Sequence, residues 1–222
     1  GHIKPLQARL NALLESQDHS AVEVETRFRI VHAARRQLTH QYFELVATAT
    51  LSRKRLKVSH YSRETGEETE RVISPQQLVY YRDNWYVDSW CHLRNGIRSF
   101  SIDAITNAEI LKEKTKDVSR SKLKEALENG YGIFSGKAVT WARLRFSSER
   151  ARWVSKEQWH PQQKGRFEED GSYLLEVPFS DNRELIMDIL RHGSEVEIIS
   201  PQKLRKRVGQ ELKSALKYYC PY

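Results

Sequence analysis

Residues 1–52 carry apolar side chains at the spacing of helices. Leu6 and Leu10 begin such a stripe, in which apolar residues recur every three or four positions. A second helix is predicted from Ser20, whose hydroxyl and a glutamate three residues later form a capping box. A third is predicted to begin near Thr39. With few apolar residues of its own, this segment is expected to brace or link a neighbouring domain.

From residue 53 to residue 113 the pattern changes to short alternations typical of β-strands. Leu56 and Val58 alternate with polar residues, and about five short strands fit into the segment. The clearest hairpin turns at Asn95-Gly96, because this pair readily adopts the positive φ angles of a type I′ turn. The segment predicts a small β-barrel, in which closure of the sheet removes exposed edges.

The segment 114–137 is polar and predicts a linker with one short helix from Arg120 to Asn129. Residues 138–222 follow the order strand, helix, strand, strand, helix, strand, with a final helix from Pro201. This order predicts a ferredoxin-like split βαβ fold, with two helices on one face of a four-stranded sheet. The whole chain is therefore predicted to be an α+β protein.

Composition narrows the class of protein. The 222 residues include 37 Lys and Arg against 29 Asp and Glu, a formal net charge of +8, so a polyanionic partner is worth considering. Two cysteines are too few for a disulfide framework, no run reaches the roughly 20 apolar residues of a bilayer span, and no signal segment opens the chain. We expect a cytoplasmic protein without membrane contact. The opening Gly1-His2 lacks a Met, which suggests further sequence upstream.

Motifs for catalysis and metal binding are missing from the sequence. The stretch from Gly132 to Ala138 is similar to a P-loop, but it is one residue short and has Ala138 where Ser or Thr would hold magnesium. The eight histidines and two cysteines form no pair at zinc spacing. No enzymatic activity, no cofactor and no metal is predicted.

Arginine and tyrosine on the predicted strands are candidates for ligand contact. With Trp85 inward, the two-residue period turns Tyr86 to the other face, and Arg71, Arg98 and Tyr61 lie on strands that could converge with it. Guanidinium groups bind phosphate in a bidentate manner, and a tyrosine ring stacks on a base. Residue chemistry alone favours a structural alternative, in which the arginines pair with nearby carboxylates. Those carboxylates are Asp88, Asp103 and the acidic hairpin tip that contains Glu64, Glu67, Glu68 and Glu70.

Three blocks of this region closely resemble the WYL domain, which is named for a Trp-Tyr-Leu motif. They are RVISPQQL at 71–78, NWYVDSW at 84–90 and RSFSIDAI at 98–105. The second half of the chain resembles the C-terminal extension that follows this domain in many bacterial transcription regulators. Its matching blocks are WHPQQ at 159–163, DG at 170–171, GSEV at 193–196 and SPQKLR at 200–205. The resemblance covers roughly residues 50–219.

The resemblance implies both a fold and a role. An SH3/Sm-like barrel would sense a nucleic-acid or nucleotide-like effector, and a ferredoxin-like domain would follow it. Members of the family act as homodimeric regulators of transcription, and several are linked to DNA damage responses or to phage defence. They bind DNA through an N-terminal winged helix-turn-helix. That domain is not visible in this sequence, so DNA contact is expected through a missing N-terminal domain.

The resemblance also assigns site residues. Arg71, Tyr86 and Arg98 take the ligand-facing positions of the family. Weaker matches on the first strand are Tyr61, Ser59 and Arg63. Ala104 stands where many relatives have an arginine, so one cationic contact is absent. The residues that could compensate are His92 and Arg94.

The final helix carries a basic cluster beside an apolar stripe. The cluster consists of Lys203, Arg205, Lys206 and Arg207. A solvated face opposite a core or dimer stripe is the favoured interpretation, and nucleic-acid contact is the alternative. The leading hypothesis is therefore an effector-sensing and dimerising fragment of a bacterial regulator. The alternative is a module that binds DNA directly, without a separate effector and with steep salt dependence.

Overall fold

The computed structural model describes residues 41–127, 130–133 and 138–220, all of which belong to the compact unit Leu38–Tyr222. Helices and two antiparallel sheets make up these residues, which confirms the predicted α+β class. The first two helices predicted within 1–52 lie outside the described residues. The third is present, although it starts at Phe43 rather than near Thr39.

The described helices and strands follow one another in a fixed order along the chain. The helices are α1 (Phe43–Leu51), α2 (Arg120–Leu127), α3 (Ser148–Val154), α4 (Arg183–Arg191) and α5 (Gln202–Tyr219). The strands are β1 (Lys54–Tyr61), β2 (Glu68–Tyr81), β3 (Asn84–Cys91), β4 (Gly96–Ser101), β5 (Ile105–Lys114), β6 (Thr140–Phe146), β7 (Lys164–Phe167), β8 (Tyr173–Phe179) and β9 (Val196–Ser200). Short 3-10 helices span Ile102–Ala104 and Gly193–Glu195.

The first sheet has the strand order β4-β3-β2-β1-β5. Among the described residues no ladder joins β4 to β5, so the expectation that this sheet closes through hydrogen bonds and loses its edges was wrong. The chain passes directly from β4 through the 3-10 helix Ile102–Ala104 into β5. The rings of His60 on β1 and Phe100 on β4 lie 5.4 Å apart, so side chains span the gap that the ladders leave open.

Strand β2 differs from the prediction at Pro75. The sequence pattern predicts that a strand ends at Pro75, because proline has no N–H to donate to a ladder. In the structure β2 continues through this position: its ladder to β1 ends at Ile73, and its ladder to β3 runs from Ile73 to Tyr81 with an irregularity between Pro75 and Gln77. The irregularity leaves Gln76, directly after Pro75, without a partner in the β3 ladder, which is a one-residue bulge within a continuous strand.

The predicted hairpin of β3 and β4 is present, but its turn is longer than predicted. Cys91 pairs with Gly96, so residues 92–95 form the connection. Asn95 has a positive φ angle of 47°, whereas Gly96 belongs to the ladder. The two-residue type I′ turn is therefore replaced by a four-residue connection that ends in a left-handed asparagine.

One face of the first sheet, here called the inner face, forms a hydrophobic core together with α1. Its buried side chains include Leu56, Val58, Ile73, Val87 and Phe100. Val46 and Ala49 of α1 pack onto them and are fully buried. The rings of Phe43 and Trp85 lie 5.0 Å apart, which fixes the N-terminal end of α1 on the sheet.

The second sheet has the order β7-β8-β6-β9, and α3 and α4 contribute to the single core on one of its faces. The alternating residues of β6 that enter this core are Ala142, Leu144 and Phe146. The element order confirms the ferredoxin-like β-α-β-β-α-β prediction. Helix α5 packs through its first two turns only, since Leu204 and Val208 are its only buried residues.

Candidate ligand site on the first sheet

The first sheet places two of the predicted arginines on its inner face. Arg71 lies directly opposite Val58, and Arg98 lies directly opposite Ser89. Residues opposite each other in a ladder point to the same face, and both Val58 and Ser89 are buried. Arg71 is half-buried and Arg98 is exposed. Each guanidinium therefore extends from a core position towards solvent.

Neither arginine has a carboxylate partner among the described residues. The Nε of Arg71 donates to Thr69 Oγ1 at 3.1 Å, and Arg98 has no hydrogen bond or ion pair within that part of the chain. The third cation at this end of the strands, Arg94 in the β3–β4 turn, is exposed and also without an ion pair in the described ranges. Unpaired guanidinium groups are strong donors to phosphate.

The carboxylates expected to neutralise these arginines are bonded elsewhere. Asp88 accepts from Gln77 Nε2 at 2.8 Å and from the Ser99 hydroxyl. Asp103 forms an ion pair with Arg63 at 2.7 Å and accepts a hydrogen bond from the Asn84 side chain at 3.0 Å. Asp103 thus pairs with Arg63, and the pairing that the structural alternative expected for Arg71 and Arg98 is not found among the described residues.

His60 joins the two arginines on the inner face. It follows Val58 by two residues, and its ring meets the ring of Phe100 edge to face. Burial lowers the pKa of His60, and the charges of Arg71 and Arg63 lower it further. The imidazole is therefore neutral at pH 7, and its buried Nε2 has no hydrogen-bond partner among the described residues.

Ser89 is a second polar group on this face that lacks a partner. Its side chain is fully buried, and its Oγ makes no hydrogen bond to any residue that the structure describes. Buried hydroxyls are nearly always bonded to protein or to water. Since Arg98 is its direct neighbour across the ladder, Ser89 and Arg98 form a donor pair next to each other.

The structure separates the predicted tyrosines from the arginines. Tyr86 lies opposite Val79 and Ser101, on the face away from the core, and its ring contacts that of Tyr81 at 6.5 Å. Ser59 and Tyr61 share that outer face, opposite Glu70 and Glu68. The register therefore does not bring these three residues to Arg71 and Arg98.

His60 is a residue that sequence reasoning missed, although the signal was present. With Leu56 and Val58 in the core, the two-residue period places His60 on the same face and turns Ser59 and Tyr61 away from it. The same two-residue alternation, continued along β1 beyond Val58, would have predicted His60 as the inner-face residue instead of Ser59 and Tyr61.

The residues proposed to replace the missing family arginine differ in their surroundings. His92 Nε2 lies 2.9 Å from Ser74 Oγ on the outer face, and burial, followed by Arg55 and Lys116, lowers its pKa. A neutral histidine on the opposite face does not replace a cation. Arg94 is exposed in the turn next to β4, while Ala104 is buried in the 3-10 helix.

The described residues hold no group of three or more His, Cys, Asp or Glu side chains that could bind a metal ion. Helices long and apolar enough to cross a membrane are likewise absent from this part of the chain. The chemistry on the inner face is thus that of guanidinium, imidazole and hydroxyl groups.

Two family profiles match the chain, in the order that the two sheets follow. The WYL domain matches residues 41–110, which contain α1 and the first sheet up to the middle of β5, and the WCX domain matches residues 138–216, which contain the second sheet. The chain belongs to the WYL-domain proteins. The candidate site therefore lies in the WYL domain, and the ferredoxin-like sheet is its WCX domain.

Curated relatives match across both domains. Protein PafC of Mycobacterium leprae is 22% identical over 174 residues, which are 78% of this chain and 52% of that protein. Protein PafC of Mycobacterium tuberculosis is 24% identical over 175 residues, 78% of this chain and 54% of that protein. The chain thus spans about half the length of the curated relatives it matches.

Solved structures are similar at the level of the fold. A structure described as a CRISPR Cas-related protein aligns with 79% of this chain and 50% of its own, at a TM-score of 0.51 and 12% identity. Proteasome accessory factor B/C (PafBC) of Arthrobacter aurescens aligns with 81% of this chain and 27% of its own, at a TM-score of 0.36 and 25% identity. The CRISPR Cas-related structure thus shares the fold of this chain at low sequence identity.

The WYL and WCX domains meet at two buried carboxylates of α4. Glu184 accepts from the Tyr81 hydroxyl at 3.4 Å, and Asp188 pairs with Arg82 and accepts from the Tyr131 hydroxyl at 2.6 Å. Glu184 is 6% exposed and Asp188 is 8% exposed. Burial raises the pKa values of Glu184, Tyr81 and Tyr131. Because Tyr81 also contacts Tyr86, the outer face of the WYL sheet reaches this junction directly.

The basic cluster predicted on α5 of the WCX domain is partly neutralised. Arg205 donates to Glu197 at 2.8 Å, and Arg207 donates to Glu211 at 2.6 Å. Lys203 and Lys206 are exposed, and neither has an ion pair among the described residues. Two of the four predicted cations therefore remain for a polyanion.

Proposed function

We propose that this chain is the effector-sensing and dimerising part of a bacterial transcriptional regulator. Its WYL inner face binds an effector that carries phosphate, either a nucleic acid or a nucleotide. The observation that carries the proposal is that Arg71 and Arg98 share a face without a carboxylate partner among the described residues. Ser89 Oγ, buried and unbonded beside Arg98, supports an incoming acceptor at the same place.

Contact with promoter DNA belongs, in this proposal, to a segment outside the sequence. The chain spans about half of its curated relatives, which leaves room in the whole protein for an N-terminal DNA-binding domain. A homodimer would present two such domains to two half-sites. Control of a DNA damage response or of phage defence is the role that the family resemblance suggests for this regulator.

Effector binding acts through a shift between two arrangements of the domains. The Tyr81-Arg82 corner of the WYL sheet touches α4 of the WCX domain, so a change in the sheet alters the contacts of Glu184 and Asp188. An effector that prefers one arrangement of this junction changes how the dimer holds its DNA-binding domains.

The test is a titration of the purified chain with short single-stranded DNA, duplex DNA and cyclic nucleotides by fluorescence anisotropy or calorimetry. We expect one of these phosphate-bearing classes to bind, and Arg98→Ala to weaken that binding by about 1 to 3 kcal/mol. Arg152→Ala, which removes an exposed arginine from α3, is the control and should bind as the wild type does. The site is wrong if Arg71→Ala and Arg98→Ala both bind like the control.

Direct DNA binding through α5 is the second candidate, because Lys203 and Lys206 stay unpaired in the described part of the chain. It requires duplex affinity without an effector and a steep fall of that affinity with salt. Lys203→Ala and Lys206→Ala would then weaken duplex binding, whereas Arg98→Ala would leave it unchanged. The opposite pattern supports the effector site.

A further inference from the structure

Positive charges gather where the first strand of the WYL sheet begins and its last strand ends. Lys54 on β1 lies directly opposite Lys114 on β5, and its Nζ donates to the backbone carbonyl of Lys112 at 2.8 Å. The Nε of Arg55 donates to the backbone carbonyl of Lys114 at 3.0 Å. Like charges that face each other in a ladder repel and destabilise the sheet. An anion bound at this end would remove that repulsion.

The segment after β5 adds Lys116 to this end of the sheet. Its backbone N–H donates to Ser74 Oγ at 3.0 Å, and its Nζ lies 3.7 Å from the centre of the Trp90 ring. Burial lowers the pKa of the neighbouring His92, and the charges of Arg55 and Lys116 lower it further. The electrostatic potential on this side of the sheet is therefore positive.

Five cations make up this surface, which we call the basic corner: Lys54, Arg55, Lys112, Lys114 and Lys116. None of them forms an ion pair with another residue that the structure describes. The acidic side chains next to them do not neutralise them, because Asp117 pairs with Arg53 and Glu113 pairs with neither flanking lysine within the described ranges. The lysines of the corner from residue 112 onward are exposed. The basic corner is thus a concentrated positive surface that is open to solvent.

The positive charge continues into α2, which begins at Arg120 shortly after Lys116. The structure buries none of the residues of this helix. Its cations are exposed, and they have no ion pair in the part of the chain that the structure describes: Arg120, Lys122 and Lys124. A helix this short is marginal in water without packing. A polyanion that crosses the basic corner would therefore also stabilise α2.

The residue types indicate which polyanion fits. Protein–protein interfaces are depleted of lysine, whereas lysines at DNA interfaces contact phosphates without reading sequence. Single strands are held by aromatic rings on which their bases stack. The Trp90 ring at the basic corner is half-exposed and has Lys116 over its face, so it is not free for a base. Duplex DNA, which presents its phosphates outward, therefore fits better than an acidic protein or a single strand.

We propose that the basic corner binds the phosphate backbone of duplex DNA without sequence preference. It shares no residue with the effector site on the inner face or with the basic cluster on α5, so each surface can be tested by itself. In the whole regulator, this contact would hold DNA against the WYL domain while another domain reads the promoter. It adds affinity and salt dependence but no sequence information.

The experiment is a fluorescence-anisotropy titration of the 222-residue chain with a labelled DNA duplex, repeated between about 50 and about 200 mM salt. The glutamine variant, Lys112→Gln/Lys114→Gln/Lys116→Gln, should bind the duplex about 100-fold or more weakly at the lower salt. Its slope of log affinity against log salt should be shallower by about 2.7, since each lost phosphate contact removes about 0.9. The arginine variant, Lys112→Arg/Lys114→Arg/Lys116→Arg, keeps the charges and should keep the wild-type slope.

The matched control is Lys156→Gln/Lys213→Gln/Lys217→Gln, which removes the same charge from exposed positions of the WCX domain. It should keep the wild-type slope, because the basic corner is intact. Arg71→Ala/Arg98→Ala should also keep the duplex slope, since these arginines belong to the effector site. Circular dichroism and thermal unfolding of each variant report whether the chain remains folded.

Each outcome decides for or against the basic corner. A glutamine variant with the wild-type slope overturns it and leaves the effector site standing. A control that loses as much as the glutamine variant means that the duplex contacts the whole surface, and an arginine variant without the wild-type slope means that the lysines do not act through charge; either result overturns the corner. A single strand that depends on the three lysines more than the duplex does, or polyglutamate that displaces the duplex at equal charge, assigns a different partner and overturns duplex contact.

Discussion

At the residue scale, Arg98 tests whether the inner face recognises phosphate by geometry or by charge alone. Lysine keeps the charge but cannot form the bidentate contact of a guanidinium. Arg98→Lys should therefore bind a single-stranded oligonucleotide about 10-fold more weakly, with the wild-type salt dependence. Arg98→Ala should in addition lower the slope of log affinity against log salt by about 0.7. Titrations at several salt concentrations measure both; equal affinities of Arg98→Lys and wild type would rule out a bidentate contact.

His60 predicts a pH dependence of stability. Its pKa is lowered from the ordinary value of 6.5 on folding, first by burial and then by Arg71 and Arg63. A base with a lowered pKa binds fewer protons when folded, so its contribution to stability is complete above the unfolded pKa of 6.5. That contribution is lost progressively as the pH falls below 6.5 and through the lowered pKa of the folded state. Between about pH 7.5 and about pH 5.5, the wild type should lose more free energy of unfolding than His60→Gln.

Denaturant unfolding at the two pH values measures this difference. The other histidines with lowered pKa values, His92 and His192, are unchanged in the variant, so the comparison isolates His60. A bound phosphate ligand favours the protonated imidazole and should reduce the loss in the wild type. Equal losses in both proteins would mean that His60 is not perturbed by its site.

At the element scale, most of the fold follows from sequence patterns, and the exceptions have local causes. The ferredoxin-like half was predictable because its alternation and turn residues agree at each step. In the first sheet, Pro75 was predicted to end a strand, but β2 continues past it with a bulge between Pro75 and Gln77. Strand β5 was not predicted, since nine of its ten residues are exposed or half-exposed and show little apolar alternation.

The candidate site was predictable only in part. Strand placement and residue chemistry named the two arginines, the family resemblance gave them ligand-facing positions, and alternation separated Tyr86 from the core face. Whether Arg71 and Arg98 have acidic partners depends on which groups the nearby carboxylates contact. Asp88 accepts a hydrogen bond from Gln77, and Asp103 forms an ion pair with Arg63. Pairing between side chains distant in sequence is a tertiary property that strand patterns do not contain.

A substitution at Gly132 tests how closely the backbone packs against Glu184 at the junction of the two domains. Its φ angle is +81°, and a Cβ there would overlap the Glu184 carboxylate. Gly193 also has a positive φ angle, +58°, but open space around its Cβ position. Gly193→Ala should cost only the free energy of backbone strain. Gly132→Ala should therefore destabilise the protein by at least about 1 kcal/mol more than Gly193→Ala. Thermal unfolding measures both, and equal effects would contradict the overlap.

At the scale of the whole molecule, the WYL and WCX domains are joined through Arg82 and Asp188. Removing Arg82 leaves a nearly buried carboxylate with the Tyr131 hydroxyl as its remaining hydrogen-bond donor among the described residues. Arg82→Ala should cost about 1 to 3 kcal/mol and separate the unfolding of the two domains into two transitions. Arg166→Ala, which breaks the exposed pair with Glu168, should cost less than about 0.5 kcal/mol.

Calorimetry with intrinsic fluorescence distinguishes these outcomes, because it follows both domains in one scan. A single transition in Arg82→Ala, at the temperature of the control, would show that this pair does not couple the domains. The route from effector to DNA-binding arrangement would then have to run elsewhere.

The central claim is that the WYL inner face binds phosphate through Arg71 and Arg98. The most direct measurement is the affinity of the double variant Arg71→Ala/Arg98→Ala for whichever oligonucleotide or nucleotide the wild type binds, at one fixed salt concentration. We predict a loss of about 100-fold or more, with Arg152→Ala within about 3-fold of the wild type. A double variant that binds as tightly as that control would contradict the account.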